Sequence, residues 1–264
     1  MKNDMNNVNK TLYIPLYGKA YVSRKSLFLH DPKAEEIWDA EQFPLKGKSK
    51  SKYLAYYMGI RSAVFDAWVK QQMENADDAV IIHIGCGMDS RVVRMGLSHL
   101  IWYDVDFPEV IAERKRYYKE DFRYQMLSGD ARDPAWLSHI PQSKAAIVIM
   151  EGVSMYLTSE QVQSVMQAIG NHFDKVALLM DCYTVFAAKA SRYKNPINDV
   201  GVTNVYGIDD PLTLQTEELR FFYEHDMTPQ RYIDQLHGAE KLVLSKLYAG
   251  KLSQKLYRLY EYGK

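Results

Sequence analysis

The hydrophobic pattern of the chain changes near residue 77. Before this point, apolar and aromatic residues recur at helical spacing, most clearly over residues 53–73, which predicts a long amphipathic helix. After it, short apolar runs alternate with helical patterns, which is typical of a parallel sheet with helices on both faces. We therefore predict an α/β fold in which residues 1–76 form an N-terminal helical cap and residues 77–264 form the sheet domain, the two packed as one structural unit.

Short apolar runs mark the predicted strands, and helical spacing marks the predicted helices. The strands are predicted at residues 79–84, 100–105, 122–127, 145–150, 175–182, 219–226 and 254–262, and the last of them alternates like an edge strand. The helices are predicted at residues 12–29, 32–38, 53–73, 88–95, 108–119, 159–173 and 228–248. Residues 1 to about 10 are interpreted as a loose polar arm, and Thr158 with Gln161 has the spacing of a capping box.

The stretch AVIIHIGCGMDSR combines the first predicted strand with a glycine turn. Its apolar run is interrupted only by His83. Gly85 and Gly87 follow on either side of Cys86, so that the chain can turn sharply and let a ligand approach its backbone. Asp89 and a helical pattern come next. This order of strand, turn and helix predicts a ligand site at the N-terminus of the helix.

Acidic residues follow the next three strands of the predicted sheet. Asp106 lies about 20 residues beyond the glycines, Asp130 with Ala131 follows the third strand, and Glu151 follows the fourth. Ligands of open parallel sheets bind outside the carboxyl ends of the strands, so these residues are candidate binding groups. Each aspartate, Asp89 included, could instead cap a helix or a turn. Glu151 comes directly after a buried run and needs a partner, for which a ligand is a candidate.

These strand ends narrow the choice of nucleotide. A phosphate-binding P-loop is excluded because no Gly-Lys-Ser/Thr sequence follows the turn. A nicotinamide dinucleotide usually needs a third glycine where this chain has Ser90, which leaves a nicotinamide-dependent oxidoreductase as the second hypothesis. Several carboxylates suit an adenosine joined to an amino acid, with Asp106 on the ribose, Asp130 on the adenine amino group and the turn amides on the methionyl part. We therefore predict S-adenosylmethionine as the cofactor and methyl transfer as the reaction; a cofactor-binding protein without catalysis is the third hypothesis.

Composition excludes several other classes of protein. The 33 basic and 33 acidic side chains cancel, so no charge excess indicates nucleic-acid binding, and the lysine cluster at residues 46–52 is interpreted as a solvated loop. No apolar run approaches the roughly 20 residues of a membrane span, and the polar N-terminus lacks the apolar core of a signal peptide. The two cysteines, Cys86 and Cys182, fit a reducing cytoplasm. The seven histidines lack metal-ligand spacing, so we expect no metal.

The strand-end motifs resemble, in order and spacing, those of the leucine carboxyl methyltransferase family, including its bacterial branch of tetracenomycin-pathway-like O-methyltransferases. These motifs are GCGMDSR, YDVDFPEV, GDARDPAWL and EGVSMYL. The resemblance implies a class I methyltransferase fold, with a Rossmann-like sheet of seven strands, the last antiparallel, and an added helical cap. It also implies S-adenosylmethionine as methyl donor, S-adenosylhomocysteine as product, and Lys19 and Arg61 against the carboxylate of the cofactor or of the acceptor. The alternative for Lys19 is an exposed helix residue.

The acceptor pocket is predicted from the cap and from the segments after the fourth, fifth and sixth strands. The candidates for a pocket that takes an aromatic or apolar small molecule are Met155, Tyr156, Tyr183 and Tyr206. The candidate catalytic residues are Arg61, Tyr156 and His225. A carboxylate acceptor is already ionised at pH 7 and needs no base, whereas a hydroxyl acceptor needs one, for which His225 is the candidate. A protein C-terminal carboxylate is the alternative acceptor.

Overall fold

The structure is a computed structural model that describes residues 10–76, 78–96, 100–142, 145–191 and 205–264. Its sheet consists of β1 (Ala79–Ile84), β2 (Ile101–Asp106), β3 (Tyr124–Ser128), β4 (Ala145–Met150), β5 (Lys175–Tyr183), β6 (Arg220–His225) and β7 (Tyr257–Gly263). The strand order is β3-β2-β1-β4-β5-β7-β6, and β7 is antiparallel to both of its neighbours. The predicted α/β class and the seven strands with an antiparallel last strand are confirmed. The predicted polar arm lies outside the described residues, apart from residue 10.

The predicted edge position of the last strand is wrong. β7 lies inside the sheet, between β5 and β6, and β6 is the edge strand. The alternation along β7 has another cause, because its two faces contact different layers of the core. Tyr260 and Tyr262 pack in the core on one face of the sheet, whereas Leu259 packs in the core on the other, and all three are fully buried.

Different parts of the chain cover the two faces of the sheet. On one face, Ile81 and Ile147 share a core with the N-terminal helices and with the helices between β6 and β7. On the other face, Ile82 and Val148 share a core with the helix that follows β4. Both faces of the central strands are therefore buried, which explains why these strands read as nearly continuous apolar runs.

The helices predicted at residues 32–38, 53–73 and 159–173 end within three residues of the prediction. Those predicted at residues 12–29 and 108–119 end five residues early, and the helix at residues 185–190 was not predicted. The described helices are α1 (Tyr13–Arg24), α2 (Pro32–Glu41), α3 (Lys52–Glu74), α4 (Arg91–Met95), α5 (Pro108–Arg114), α6 (Ser159–His172), α7 (Val185–Ala190), α8 (Gln230–Ile233), α9 (Gly238–Leu247) and α10 (Gly250–Gln254). Helix α4 begins at Arg91 rather than at Met88, because the turn after β1 continues to Asp89, whose N–H donates to the carbonyl of Cys86. The helix predicted over residues 228–248 is broken, since Gly238 has a φ of +53°.

Helix α6 begins with the predicted capping box. The Thr158 hydroxyl accepts the N–H of Gln161, and the Gln161 side chain accepts the N–H of Thr158. These two bonds satisfy donors that a helix start leaves unpaired. The short 3-10 turns described are Gly47–Lys50, Pro134–His139, Ser154–Tyr156 and Pro211–Leu214.

Helix α3 is buried more completely than an amphipathic surface helix. Residues 55–65 are all buried, and Tyr56, Ile60 and Phe65 are fully inaccessible. The helix packs against α1 and against β4, the central strand of the sheet, so it lies between α1 and the sheet. The predicted amphipathic character is therefore wrong for this part of the helix. Its polar residues instead face other polar groups inside the molecule.

Candidate functional site

A cavity of about 760 Å³ lies at the carboxyl edge of the sheet. Residues of α1 and α3 line it from the cap, and the segments that follow β1, β2, β3 and β4 line it from the sheet. Its volume falls within the range of small-molecule sites, roughly 300–1,000 Å³. The carboxyl ends of parallel strands meet at this edge, so the cavity occupies the place where an open sheet of this kind binds ligands.

The strand order spreads the candidate groups along this edge. Asp106 ends β2 and Asp130 follows β3, on one side of the glycine turn after β1. Glu151 follows β4 and Tyr183 ends β5, on the other side. Neighbouring strands lie about 4.8 Å apart, so β2 and β5 are separated by about 14 Å. We call the first side the aspartate end, defined by Asp106 and Asp130. We call the second side the tyrosine end, defined by Tyr57, Tyr156, Tyr183 and Tyr257.

The glycine turn is held by β2 and by a buried arginine. Gly85 and Gly87 have φ angles of +66° and +50°, which only glycine adopts without strain. The N–H groups of Gly85 and Cys86 both donate to the carbonyl of Val105, at 2.8 and 3.3 Å. Arg114 donates to the carbonyl of Gly87 at 3.0 Å. These amides are bonded within the protein, so the structure does not support their predicted role in binding the methionyl part of a cofactor.

Asp106 extends over the glycine turn from the end of β2. Its Oδ2 accepts the N–H of Gly87 at 2.7 Å, and its Oδ1 accepts the N–H of Phe107 at 2.8 Å. Phe107 precedes α5, so Asp106 does not cap the first turn of that helix as the alternative required. Burial raises the pKa of Asp106 to about 6, although both hydrogen bonds oppose this rise. Each oxygen retains acceptor capacity, which suits ribose hydroxyls.

Asp130 and Ala131 line the cavity beside Asp106. Arg132 is bonded to the Asp130 carboxylate through Nε at 2.9 Å and through Nη2 at 2.5 Å, and this pairing lowers the pKa of Asp130. Asp130 also accepts the backbone N–H of Arg132 at 2.8 Å. Asp130 therefore makes the turn contact of the alternative interpretation and contributes to the cavity as well.

Lys19 and Asp89 form a buried ion pair between the cap and the glycine turn. The Nζ of Lys19 lies 2.9 Å from Oδ2 of Asp89, and Lys19 is only 3 % exposed. The alternative of an exposed lysine is therefore wrong. Asp89 also accepts the N–H of Arg91 at 2.8 Å and is bonded to Arg94 at 3.0 Å. Burial opposes the ionisation of Asp89, but Lys19 and the arginines outweigh it and hold the pKa of this carboxyl well below its usual range.

Two arginines of α4 connect the cap to the sheet. Arg91 is bonded to Asp66 of α3 at 2.6 Å and to Glu151 at 2.5 Å. Arg94 is bonded to Asp66 at 2.7 Å and, at 2.6 Å, to Asp31, the residue that caps α2. Breaking a buried pair leaves an uncompensated charge, which is strongly unfavourable. The cap is therefore attached to the sheet edge by buried charges as well as by apolar packing.

Glu151 and Arg61 belong to the same set of buried charges. Oε1 of Glu151 accepts from Nε of Arg61 at 3.1 Å, and Oε2 accepts from Arg91. Burial alone would raise the pKa of Glu151, but Arg91 and Arg61 lower it to about 2. Nη1 of Arg61 donates to Oδ2 of Asp181 at 2.9 Å. Glu151 thus has two arginine partners where the sequence suggested a ligand, although Glu151 and Arg61 both line the cavity.

His83, the polar residue of β1, lies between two charged groups. Its Nε2 is 3.5 Å from Nη1 of Arg91, and its Nδ1 is 3.6 Å from Oδ1 of Asp104. Burial, followed by the charge of Arg91, lowers the pKa of His83 to about 4. The ring is therefore neutral at pH 7, and with this pKa it is a poor general base.

The tyrosine end is a cluster of packed rings. Tyr183 and Tyr257 pack edge to face with ring centroids 4.6 Å apart, and Tyr57 is tilted against Tyr257 at 5.6 Å. Burial raises the pKa of Tyr57, Tyr156 and Tyr257 above the ordinary value, so these hydroxyls stay protonated at neutral pH. Three of the predicted pocket residues line the cavity here, namely Met155, Tyr156 and Tyr183.

The other two predicted acceptor-side residues lie elsewhere. The N–H of Tyr206 donates to the carbonyl of Met155, but the Tyr206 side chain is 48 % exposed and does not line the cavity. His225 is on the edge strand β6, where its Nε2 lies 2.5 Å from Glu261. Strand β7 separates β6 from β5, so His225 is displaced from the tyrosine end. The structure therefore contradicts Tyr206 as a pocket residue and His225 as the catalytic base.

Several residues that build the site were not predicted from the sequence. Tyr57 carried a usable signal, because it lies one helical turn before Arg61 and therefore on the same face of α3. Asp181 carried another, since it is a carboxylate inside the apolar strand β5. Tyr257 and Arg91 carried none, because only their long-range contacts distinguish them from ordinary residues of a strand and a helix.

The described ranges contain neither a cluster of metal-binding side chains nor a membrane-spanning helix. No group of three or more His, Cys, Asp or Glu side chains in those ranges is arranged to hold a metal ion. No helix within them is both long enough and apolar enough to cross a membrane. Cys86 and Cys182 are free and buried.

Comparison with known proteins identifies relatives of this chain. Residues 14–170, which run from α1 into α6, match the model of the family described as leucine carboxyl methyltransferase. The chain is 27 % identical over 246 residues to the tetracenomycin polyketide synthesis O-methyltransferase TcmP of Streptomyces glaucescens, and 90 % of each protein is covered. It is 29 % identical over 201 residues to the S-adenosyl-L-methionine-dependent methyltransferase dpfgK of Gibberella zeae, covering 68 % of this chain and 67 % of the relative.

A solved structure supports the fold. The crystal structure of magnesium protoporphyrin IX methyltransferase (ChlM) from Synechocystis PCC 6803 with bound SAH matches with a TM-score of 0.54. The match covers 93 % of this chain and 97 % of the other, at 9 % sequence identity. At this identity the likeness concerns the fold alone, and it confirms the predicted class I methyltransferase architecture.

Proposed function

The chain belongs to the leucine carboxyl methyltransferase family, and we propose that it is an S-adenosylmethionine-dependent O-methyltransferase whose acceptor is a small molecule with an ionised oxygen. One observation carries the proposal. One cavity joins an aspartate end, whose carboxylates suit a nucleoside, to a tyrosine end where the described lining side chains include no competent base. The names of both relatives, an O-methyltransferase and an S-adenosyl-L-methionine-dependent methyltransferase, favour methyl transfer over the nicotinamide-dependent hypothesis.

The residues around the glycine turn fit the cofactor. Asp106 would accept hydrogen bonds from the ribose hydroxyls, and Asp130 would accept one from the adenine amino group. Lys19 and Arg61 reach the cavity from the cap and supply cations for the carboxylate of the methionyl part. With the turn amides bonded to β2, these side chains are the better candidates for that part of the cofactor.

The tyrosine end supports an acceptor that arrives already ionised. Its buried tyrosines remain protonated at neutral pH. Of the neighbouring groups, His83 has a pKa near 4 and Glu151 a pKa near 2, so neither accepts a proton readily. Asp106 has a pKa near 6, but it lies at the aspartate end. A carboxylate acceptor needs no proton transfer at pH 7, and we therefore favour it over an alcohol.

Alignment and the exclusion of water would supply most of the rate enhancement. S-adenosylmethionine, when bound, presents a methyl group on a sulfonium to in-line attack by the acceptor oxygen. The cap helices α1 and α3 line the cavity. The Lys19–Asp89 pair holds α1 on the sheet edge, and the pairs of Asp66 with Arg91 and Arg94 hold α3 there. The tyrosine rings offer flat apolar surfaces against which an aromatic or apolar acceptor can pack, and their hydroxyls can donate to its oxygens.

The test combines binding with a matched substrate panel. Isothermal titration first measures the binding of S-adenosylhomocysteine to the purified protein. Labelled S-adenosylmethionine is then supplied with pairs of aromatic compounds that share a skeleton and differ in carrying a carboxylate or an alcohol. We expect binding of S-adenosylhomocysteine and label transfer to carboxylates only. Lack of binding, or transfer to alcohols in preference to carboxylates, would contradict the proposal.

A peptide ending in a leucine carboxylate belongs in the same panel. Transfer to the peptide at a higher kcat/KM than to every small acid would favour a protein C-terminus as the acceptor. The volume of the cavity and its cover of cap helices favour a small molecule instead.

A further inference from the structure

Asp181 is a buried carboxylate of β5 with both oxygens bonded. Its side chain has no exposed surface. Oδ2 accepts from Nη1 of Arg61 at 2.9 Å, and Oδ1 accepts the N–H of Gly152 at 2.6 Å. The hydroxyl of Ser154 donates to the Asp181 carbonyl at 2.5 Å. Asp181 thus joins three elements, because it links its own strand to the loop after β4 and to helix α3 of the cap.

Arg61 is held by two carboxylates and keeps one edge open. Its Nε is bonded to Glu151 and its Nη1 to Asp181. Nη2 makes no hydrogen bond to any described residue and is open to the cavity that Arg61 lines. A Cβ on Gly152 would lie 3.4 Å from Nη2, so the loop after β4 passes in van der Waals contact with this edge of the guanidinium. Gly152 has a φ of +74°, which glycine adopts without strain.

The open edge of Arg61 lies next to the glycine turn. Gly152 is followed by Val153, and a Cβ on Gly85 would lie only 2.2 Å from Cγ2 of Val153. The loop after β4 therefore packs directly against the turn after β1. A cofactor whose nucleoside occupies the aspartate end must lay its amino-acid part across these two packed loops to bring its methyl group toward the tyrosine end.

We infer that Asp181 is a positioning residue, which orients Arg61 so that its open edge binds the carboxylate of the cofactor's amino-acid part. This inference rests on the proposed function. Guanidinium is a planar fork of five donors, and its direction is set once two of its nitrogens are bonded. An arginine held in this way loses little rotational freedom when it binds a carboxylate, so the affinity is higher than that of a free side chain.

The test compares two ligands that differ only beyond the adenosine and its sulfur. S-adenosylhomocysteine carries the amino-acid part, whereas 5′-methylthioadenosine lacks it. Isothermal titration measures both dissociation constants for the native protein and for Asp181→Asn. The amide keeps an acceptor for Gly152 but removes the charge that holds Arg61. We expect the variant to bind S-adenosylhomocysteine about tenfold more weakly and 5′-methylthioadenosine as tightly as the native protein.

Asp104→Asn is the matched control. Asp104 is an equally buried strand carboxylate, but it is bonded to Arg114, which holds the glycine turn at Gly87. Replacement of Asp104 should weaken the binding of both ligands by a similar factor. Equal weakening of both ligands by Asp181→Asn would therefore indicate general damage to the fold and would overturn the inference.

A second variant, Arg61→Lys, tests the contact between Asp181 and Arg61 by changing the arginine. It keeps the charge but cannot bond two carboxylates and a ligand through a planar fork. We expect a selective loss of S-adenosylhomocysteine affinity, and no further selective loss when Asp181→Asn is added. If Asp181→Asn does not fold, Asp181→Glu replaces it, because the longer side chain keeps the charge but displaces the carboxylate that holds Arg61. Unchanged affinities of Asp181→Glu for both ligands would overturn the inference. Failure of the native protein to bind S-adenosylhomocysteine would instead refute the proposed function.

Discussion

The two ends of the cavity are built by different kinds of contact. At the aspartate end, each binding group follows a strand directly, and Asp106 and Gly87 bond to each other across neighbouring strands. The tyrosine end combines α3, the turn after β4, the end of β5 and the start of β7, so that Tyr57 and Tyr257 meet across most of the chain. A local motif can specify the first end, whereas the second exists only when the whole fold is complete.

The largest expected effect comes from removing the arginine beneath the aspartate end. Arg114 is fully buried, pairs with Asp104 at 2.5 Å and donates to Gly87. Arg114→Leu would leave the Asp104 carboxylate buried without a cation, so we expect the free energy of unfolding to fall by about 3–5 kcal/mol. Urea denaturation measures this change. Arg24→Leu, whose guanidinium pairs at the surface with the exposed Asp39, is the control and should cost less than about 1 kcal/mol; equal effects would show that the buried pair does not hold this end.

Asp106→Ala should weaken cofactor binding at the aspartate end without affecting the tyrosine end. The variant loses the charge-assisted hydrogen bonds that we propose between Asp106 and the ribose, so we expect binding of S-adenosylhomocysteine to weaken by about 1–3 kcal/mol in isothermal titration. Tyr257→Phe, at the other end, should leave this affinity unchanged. An unaltered dissociation constant for Asp106→Ala would reduce Asp106 to a residue that only holds the glycine turn.

The ionisation of Asp106 predicts a pH dependence confined to cofactor binding. Burial raises the pKa of this carboxyl to about 6, so it is ionised at pH 8 and is protonated as the pH falls through 6. We expect the affinity for S-adenosylhomocysteine to fall about tenfold between pH 7 and pH 5, in step with the ionised fraction. The variant Asp106→Asn should bind S-adenosylhomocysteine weakly, and its affinity should not change between pH 7 and pH 5. A flat profile for the native protein would mean that binding does not use the charge.

The smallest effect is expected at the tyrosine end. The Tyr57 hydroxyl lies 3.0 Å from the Ser253 hydroxyl, and both are buried. Tyr57→Phe removes this bond, so we expect the free energy of unfolding to fall by about 0.5–1.5 kcal/mol, with cofactor affinity unchanged and the KM of the acceptor raised. Tyr223→Phe, on the exposed edge strand, should change none of these quantities. Weaker cofactor binding by Tyr57→Phe would show that the two ends are coupled.

The sequence predicted the aspartate end of the cavity better than the tyrosine end, because the first is built from local contacts and the second from long-range ones. The aspartate end follows from a turn that requires glycine and from carboxylates placed after apolar strands, and each of these signals lies within a few residues of the strand that it follows. Tyr206 and His225 were chosen by the same rule for the tyrosine end, and there it failed. The Tyr206 side chain is exposed and does not line the cavity, and β7 lies between β5 and the strand that carries His225.

The sequence by itself determined the α/β class, the position of β1 to β5 and the glycine turn, because hydrophobic periodicity and positive-φ positions are local properties. Only the tertiary structure decided the rest. It placed β7 inside the sheet, buried Lys19 against Asp89, and gave Glu151 two arginine partners. Buried ion pairs and ring clusters join residues that are far apart along the chain, and no local pattern records which charged side chains will lose contact with water.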